Sequence, residues 1–179
     1  MEDLSLHLLD IAENSVDAGA KKIDIAIIES SAEDLLTLSV RDDGRGMDSE
    51  TLEKVSDPFF TTKSVRSFGL GIPLLKQAAE ECNGSFFIES SPGKGTCTTT
   101  TFQRSHIDRK PLGNTGATMM VLIGGHPNID FSLTYVRDAF CYRFDSAALK
   151  ETLEGVPINL PAVLKLIKDD INEAIRVNE

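Results

Sequence analysis

Residues 42–47 read DDGRGM and follow residues 36–41, in which apolar and polar side chains alternate. The alternation predicts a β-strand, and the two glycines after it predict a tight turn. Because glycine has no side chain, it lets backbone N–H groups approach a phosphate-rich ligand closely. Taken alone, DDGRG is more typical of a plain surface turn than of a ligand site.

Four further motifs stand in order around this turn. They are ENSVDAG (13–19) on a predicted helix, PFFTTK (58–63) in a predicted loop, GLGI (69–72) at a predicted helix start and GKGT (93–96) in a predicted hairpin. The dipole at a helix N-terminus favours anions, and glycines in a hairpin expose backbone donors. Each motif alone is weak evidence, but their order along one chain indicates one phosphate-binding site.

The hydrophobic pattern predicts a mixture of helices and strands along the whole chain. Before residue 105, helices are predicted at 3–18, 49–55 and 70–83, and strands at 23–29, at 36–41 and in a hairpin over 85–102. After it, strands are predicted at 119–123, 131–135 and 140–144, and helices at 146–153 and 161–177. Residues 106–117 are polar and contain Pro and Gly, so we expect a linker there. It would join a domain at 1–105 to a small α+β domain at 118–179, whose role the sequence leaves open.

Composition and charge exclude several classes of function. With 41% hydrophobic and 26% charged residues the chain is typical of a globular protein, and its net charge of -10 argues against a nucleic-acid partner. The acidic start, MEDLSLH, and the lack of a long apolar run predict no membrane segment and a cytoplasmic location. Cys82, Cys97 and Cys141 are too far apart to indicate a zinc site or a disulfide framework.

The ordered motifs resemble the five nucleotide-binding boxes of the GHKL superfamily, whose members bind ATP in the Bergerat fold. The resemblance covers roughly residues 4–103. From PFFTTK to GKGT the chain is similar to the catalytic domain of bacterial sensor histidine kinases, whereas ENSVDAGA is similar to mismatch-repair ATPases. The resemblance implies an α+β fold of the two-layer α/β sandwich type, in which helices cover one face of a mixed sheet, with a small α+β extension at the C-terminus.

The resemblance assigns roles to individual residues. Asn14 matches the asparagine that holds Mg²⁺ on the triphosphate, Asp42 matches the carboxylate that binds the adenine amino group, and Thr96 matches a residue that assists through water. Asp10 stands one helical turn before Asn14, where hydrolytic members usually have Glu. Since Asp is one methylene shorter, we expect a general base with slow turnover. Glu13 is rotated away and is the weaker candidate for the base.

The resemblance also implies which other residues contact ATP. They are Gly44, Gly46, Met47, Phe60, Thr61, Lys63, Arg66, Gly69, Leu70 and Gly71. The glycines match positions where the backbone lies near the nucleotide, and Lys63 and Arg66 lie in the segment that resembles the lid over the phosphates. This lid is short, so contacts to the phosphates are expected to depend on a partner protein or on the second protomer of a homodimer.

Three functions are compatible with such a site. The first is a stand-alone regulatory protein kinase that phosphorylates a separate partner, because His7 lacks the family's phosphoacceptor pattern and no dimerisation helices precede the ATP-binding residues. The second is a slow ATPase switch, which the pairing of Asp10 with Asn14 favours. The third is a non-catalytic adaptor that senses nucleotide. We interpret His7 as a helix-face histidine near the site.

Overall fold

A computed structural model describes residues 2–55 and 71–177, and within these ranges one six-stranded sheet organises the chain in the order β3-β4-β2-β1-β5-β6. The strands are β1 Lys22–Ser30, β2 Leu35–Asp42, β3 Ser85–Ser91, β4 Gly95–Gln103, β5 Asp130–Arg137 and β6 Phe140–Asp145. The helices are α1 Leu4–Asp17, α2 Ser49–Lys54, α3 Gly71–Glu80, α4 Thr115–Gly125, α5 Ser146–Thr152 and α6 Pro161–Arg176.

Alternating side chains decide which face of the sheet is covered. Along β1, Ile23, Ile25 and Ile27 are buried, whereas Ile28 on the opposite face is 42% exposed. Helices α1 and α3 pack on the buried side, against β1 and β2 and against β3 and β4 respectively. The sheet is mixed, because β5 is parallel to β1 while the other neighbouring strands are antiparallel. The predicted α+β class, with a mixed sheet and helices, is therefore confirmed.

Helix α1 carries two of the predicted site residues, and its own sequence explains its position. The Asp3 side chain accepts a hydrogen bond from the N–H of Leu6 and caps the helix start. Leu4, Leu8 and Ile11 recur at helical spacing and are buried in the core. This apolar stripe lies against the sheet and leaves other faces of α1 for polar side chains.

Most of the predicted helices and strands agree with the structure, but the strand predicted at residues 119–123 is wrong. These residues lie within helix α4, whose start is capped by Asn114 through a 2.8 Å bond from the N–H of Ala117 to its side-chain oxygen. A short apolar run suits a buried strand or a buried helix equally well. Here Met119, Leu122 and Ile123 are buried, and α4 packs on both α1 and α6.

The segment after residue 105 is closely tied to the first part of the chain. Strand β5 lies beside β1 from the Lys22–Asp130 pair to the Glu29–Arg137 pair, so the sheet continues into the C-terminal residues. The N–H groups of Leu4 and Ser5 bond to backbone oxygens in residues 111–112, inside the predicted linker. The division into a domain at 1–105, a linker at 106–117 and a small domain at 118–179 stays a prediction.

Among the described residues, no helix combines the length and the apolar character needed to cross a bilayer.

Candidate functional site

The carboxylate of Asp42 is the centre of the candidate site. It lies at the last position of β2 on the covered face of the sheet and is 8% exposed. Oδ1 accepts hydrogen bonds from the N–H of Gly44 at 2.9 Å and of Thr96 at 3.2 Å, and Oδ2 accepts one from the Ser15 hydroxyl at 2.7 Å. An ionised carboxylate has about four acceptor positions, so these three donors leave room for one more.

The neighbouring Asp43 has a structural role instead. Its Oδ1 accepts hydrogen bonds from the N–H groups of Lys21 and Lys22 at 2.7 and 2.9 Å, which ties the start of β1 to the turn after β2. The N–H of Lys22 is the largest cause that lowers the pKa of Asp43. Of the two adjacent carboxylates in DDGRGM, only Asp42 is buried on the covered face.

Close backbone approaches explain the glycines around Asp42. A Cβ on Gly44 would lie 2.9 Å from Asp42 Oδ1, and a Cβ on Gly95 would lie 1.9 Å from the Asp42 backbone oxygen. Gly46 has a φ of +66°, and a Cβ there would lie 2.0 Å from the Ser91 backbone oxygen. Glycine is thus required where the turn after β2 meets the β3–β4 hairpin. Contacts of Gly44 and Gly46 with nucleotide remain a prediction.

Ser90 joins the turn after β2 to the start of β4. Its hydroxyl accepts a 2.8 Å hydrogen bond from the N–H of Met47, and it lies 2.9 Å from the Thr96 hydroxyl. Met47 and Thr96, both predicted to contact ATP, are therefore held in one hydrogen-bonded network beside Asp42. The hydroxyl of Thr96 is placed by Ser90, while its N–H is bonded to Asp42.

Asp10, Asn14 and Gly71 lie on the two helices that border the site. Asp10 and Asn14 are one turn apart on α1, Asp10 exposed and Asn14 half-buried. Gly71 is the first residue of α3, and a Cβ there would lie 3.1 Å from Asp10 Cβ and 3.4 Å from its Oδ2. The lack of a side chain at Gly71 therefore lets the start of α3 pass close to the Asp10 carboxylate.

Six predicted contacts to ATP lie outside the described residues. They are Phe60, Thr61, Lys63, Arg66, Gly69 and Leu70. Among the described residues, the structure brings Gly44 and Met47, which follow β2, and Thr96, at the start of β4, together around Asp42. It also places Asp10 beside Gly71.

Sequence reasoning missed three residues of this site. Ser15 and Ser90 supply hydroxyls to the network, and Gly95 makes room for the backbone of Asp42. Ser15 follows Asn14 on a helix, so only the packing of α1 on β2 shows that it bonds to Asp42. The signal for Gly95 was available, because it lies in GKGT.

His7 lies one turn before Asp10 on α1 and is 2% exposed. Neither ring nitrogen has a hydrogen-bond partner among the described residues. Burial, followed by nearby positive charges that include Lys110, lowers the pKa of His7 to about 4. The ring is therefore neutral at pH 7, and its burial argues against a role as a phosphoacceptor, in agreement with its interpretation as a helix-face histidine.

A groove of about 190 Å³ lies close to the site. It is lined partly by Asp42, Gly95 and Thr96, but also by Arg41 and Cys97, which alternate with residues of the covered face. Asp10 and Asn14 do not line this groove. We therefore place the candidate site at the helices and not in the groove.

The residues present fit ATP with magnesium. Asp42 retains capacity for one donor, which an adenine amino group would fit, whereas a guanine carbonyl would meet acceptors only. The glycine at the start of α3 offers backbone N–H groups to phosphate, and the Asn14 amide oxygen is a neutral ligand that suits a hard cation.

Comparison with known proteins identifies the same region. The family model for the histidine kinase-, DNA gyrase B-, and HSP90-like ATPase matches residues 2–106. The chain is 38% identical over 92 residues to sensor protein kinase FleS of Pseudomonas aeruginosa, which covers 51% of this chain and 23% of the kinase. It is 33% identical over 88 residues to sporulation kinase C of Bacillus subtilis, and the match covers 49% of this chain and 20% of that kinase. The chain thus spans less than a quarter of the length of these relatives.

A solved structure supports the fold. The crystal structure of the N-terminal domain of a DNA repair protein superimposes with a TM-score of 0.53 and 16% identity, covering 81% of this chain and 52% of that one. At this identity the likeness concerns the fold alone. Since the family model matches more than half of the chain, the chain belongs to the histidine kinase-, DNA gyrase B-, and HSP90-like ATPase family.

Proposed function

We propose that the chain binds Mg²⁺ and ATP in the space bordered by α1, the start of α3, the end of β2 and the start of β4. The observation that carries this proposal is the buried Asp42 carboxylate, which accepts three protein donors and keeps one acceptor position. A carboxylate held in this way accepts from the adenine amino group and selects adenine over guanine. ATP binding is also the shared property of the family to which the chain belongs.

The phosphate side of the proposed site is assigned to α1 and α3. Asn14 would supply an amide oxygen to magnesium, whose charge would offset the negative charge of the phosphates. Asp10, one turn earlier and beside Gly71, accepts a proton from the attacking group as general base. Lys63 and Arg66 are proposed to offset phosphate charge from the lid segment.

We infer that the chain is a regulatory protein kinase that acts on a separate protein partner. Two relatives that are 33% and 38% identical over this region are named as kinases, which supports transfer of phosphate to a protein. In this proposal the protein is cytoplasmic, forms a homodimer and binds a protein partner. It binds neither nucleic acid nor a membrane.

A slow ATPase switch is the second candidate. It is favoured by the position of Asp10 beside the start of α3 and by the packing of α4, from the C-terminal segment, on α1. Hydrolysis at Asp10 would then act on the C-terminal segment through α1. In the third candidate, the adaptor, the same contacts would report binding without turnover.

Incubation with γ-labelled ATP and magnesium separates these functions. Label on an added partner indicates a kinase, free labelled phosphate indicates an ATPase, and binding without either product indicates an adaptor. If calorimetry detects no binding of adenine nucleotide to the folded chain, the proposed site is wrong. The same titration with GTP is the control, and equal affinities would contradict the role of Asp42.

The variant Asp10→Asn tests the general base. It keeps the size of the side chain and removes its basicity, so ATP affinity should change less than about threefold while hydrolysis falls at least about 100-fold. Glu13→Gln, which replaces the weaker candidate for the base on the same helix, is the control and should retain hydrolysis when both chains are measured at saturating magnesium. Unchanged hydrolysis in Asp10→Asn would exclude Asp10 as the base.

A further inference from the structure

Helix α4, which lies outside the region matched by the family model, holds α1 at two points. Near the start of α1, the Thr118 hydroxyl donates a buried 3.1 Å hydrogen bond to the Ser5 backbone oxygen. Near its end, His126 Nε2 lies 3.3 Å from Glu13 Oε1. Ser5 and Glu13 are eight residues apart, or about 12 Å along the helix axis. The two contacts therefore bracket Asp10.

Helix α4 is itself held firmly by α6. The Asn172 side chain accepts from the Gly116 N–H at 3.0 Å and donates to Asn114 Oδ1 at 2.8 Å. A Cβ on Gly116 would lie 2.3 Å from the Lys168 backbone oxygen, so the two helices are in close contact. Contacts from α4 can therefore restrain α1 and not merely follow its movement.

His126 is placed from both sides. Its N–H bonds to the Leu122 oxygen at the end of α4, and its own oxygen accepts from the N–H of Ile129 in the turn that leads to β5. Because β5 pairs with β1, the backbone that carries the imidazole is tied to the sheet. Its partner Glu13 immediately precedes Asn14, and a restraint on one residue of a helix restrains the direction of the next.

On the basis of the function proposed above, we propose that His126 is a positioning residue for the metal side of the site. Its contact with Glu13 sets the rotation of α1 about its axis and so the place of the Asn14 amide oxygen. Magnesium demands near-ideal octahedral geometry, with ligands at about 2.1 Å, and a small rotation of α1 weakens its binding. The adenine side depends on Asp42 and its buried bond to Ser15, which follows Glu13 by two residues and therefore lies about 160° away from it around the helix axis.

Measurement of magnesium dependence in His126→Leu tests this role. The magnesium concentration that gives half-maximal ATP binding should rise about three- to tenfold, since the His126 and Glu13 side chains are 30% and 39% exposed. The affinity for adenosine, which has no phosphates, should stay within about twofold. His126→Gln keeps a donor at a similar position and should restore the magnesium dependence, and Glu13→Gln combined with His126→Leu should add little to either change alone.

The matched control is His106→Leu, because His106 lies in the connection between β4 and α4 and its ring contacts Asp108. Unchanged magnesium dependence in His126→Leu would overturn the positioning role, and so would a parallel loss of adenosine affinity, which indicates a contribution to folding alone. Should His126→Leu fail to fold, Glu13→Gln provides the same measurement. Absence of ATP binding by the unsubstituted chain would instead refute the proposed function together with this role.

Discussion

The hydroxyl of Ser15 on α1 donates a 2.7 Å hydrogen bond to Oδ2 of Asp42 at the end of β2. Both residues are buried, at 4% and 8% exposure. Ser15 directly follows Asn14, so one hydrogen bond joins the helix proposed to hold the metal to the strand proposed to bind adenine. This bond anchors α1 at the adenine side of the proposed site.

Asp42→Asn should lower ATP affinity at least about 100-fold. The amide replaces one acceptor oxygen with a donor NH₂, which conflicts with the donors from Gly44, Thr96 and Ser15 as well as with the adenine amino group. Isothermal calorimetry measures the affinity. Asp43→Asn is the matched control, since it weakens the hydrogen bonds from the N–H groups of Lys21 and Lys22 but leaves the Asp42 carboxylate unchanged. Retained affinity in Asp42→Asn would remove the adenine assignment.

Ser15→Ala should lower ATP affinity about tenfold and destabilise the fold by about 1.5–3 kcal/mol, since it deletes a buried hydrogen bond to a charged group. Ser15→Thr keeps the hydroxyl and should retain most of the affinity. Ser5→Ala, on the same helix, removes a hydroxyl that bonds to Asp3 and serves as the control. Equal affinities for the Ser15→Ala and Ser5→Ala chains would show that the contact with Asp42 does not matter for binding.

Gly95→Ala should be much more destabilising than Gly93→Ala. Both glycines have positive φ, of +80° and +73°, so each substitution carries a backbone strain of about 1 kcal/mol. Only at Gly95 would the new Cβ meet backbone, 1.9 Å from the Asp42 oxygen, whereas nothing lies within 4 Å at Gly93. Urea denaturation should show a difference of at least about 2 kcal/mol. Similar values would mean that the hairpin moves freely away from β2.

Stability should fall between pH 6.5 and pH 4 because of His7. Its pKa is lowered from 6.5 to about 4 in the folded chain, so in this range the unfolded chain binds a proton that the folded chain does not. Folding therefore loses up to about 3 kcal/mol as the pH decreases. Thermal or urea unfolding across this range measures the loss.

His7→Leu is the comparison for the pH experiment. The substitution removes an imidazole whose nitrogens are unpaired in the described structure, so it should be neutral or stabilising at pH 7. The difference between the two chains should grow as the pH decreases from 6.5 to 4. Parallel stability curves would show that His7 is protonated without cost.

Much of the fold could be predicted because local pattern and tertiary position agree. The alternation in β1 and β2 and the apolar stripe on α1 each identify the element and its buried face. At residues 119–123 the pattern was ambiguous, since α4 is buried on several sides and its apolar residues show no single stripe. The sequence also did not show that β5 pairs with β1, because this pairing joins residues about 108 positions apart and no local pattern reports it.

The sequence by itself determined the family and the α+β class and led to the proposal that Asp42 binds adenine, because these depend on residue types in a given order. Only the tertiary structure shows which donors surround Asp42 and how α4 contacts α1. It also shows which neighbouring atoms a side chain at position 71 or 95 would meet. Hydrogen-bond partners and steric limits are set by distances between elements far apart in the chain. A periodic pattern specifies the face of an element, but packing specifies what that face touches.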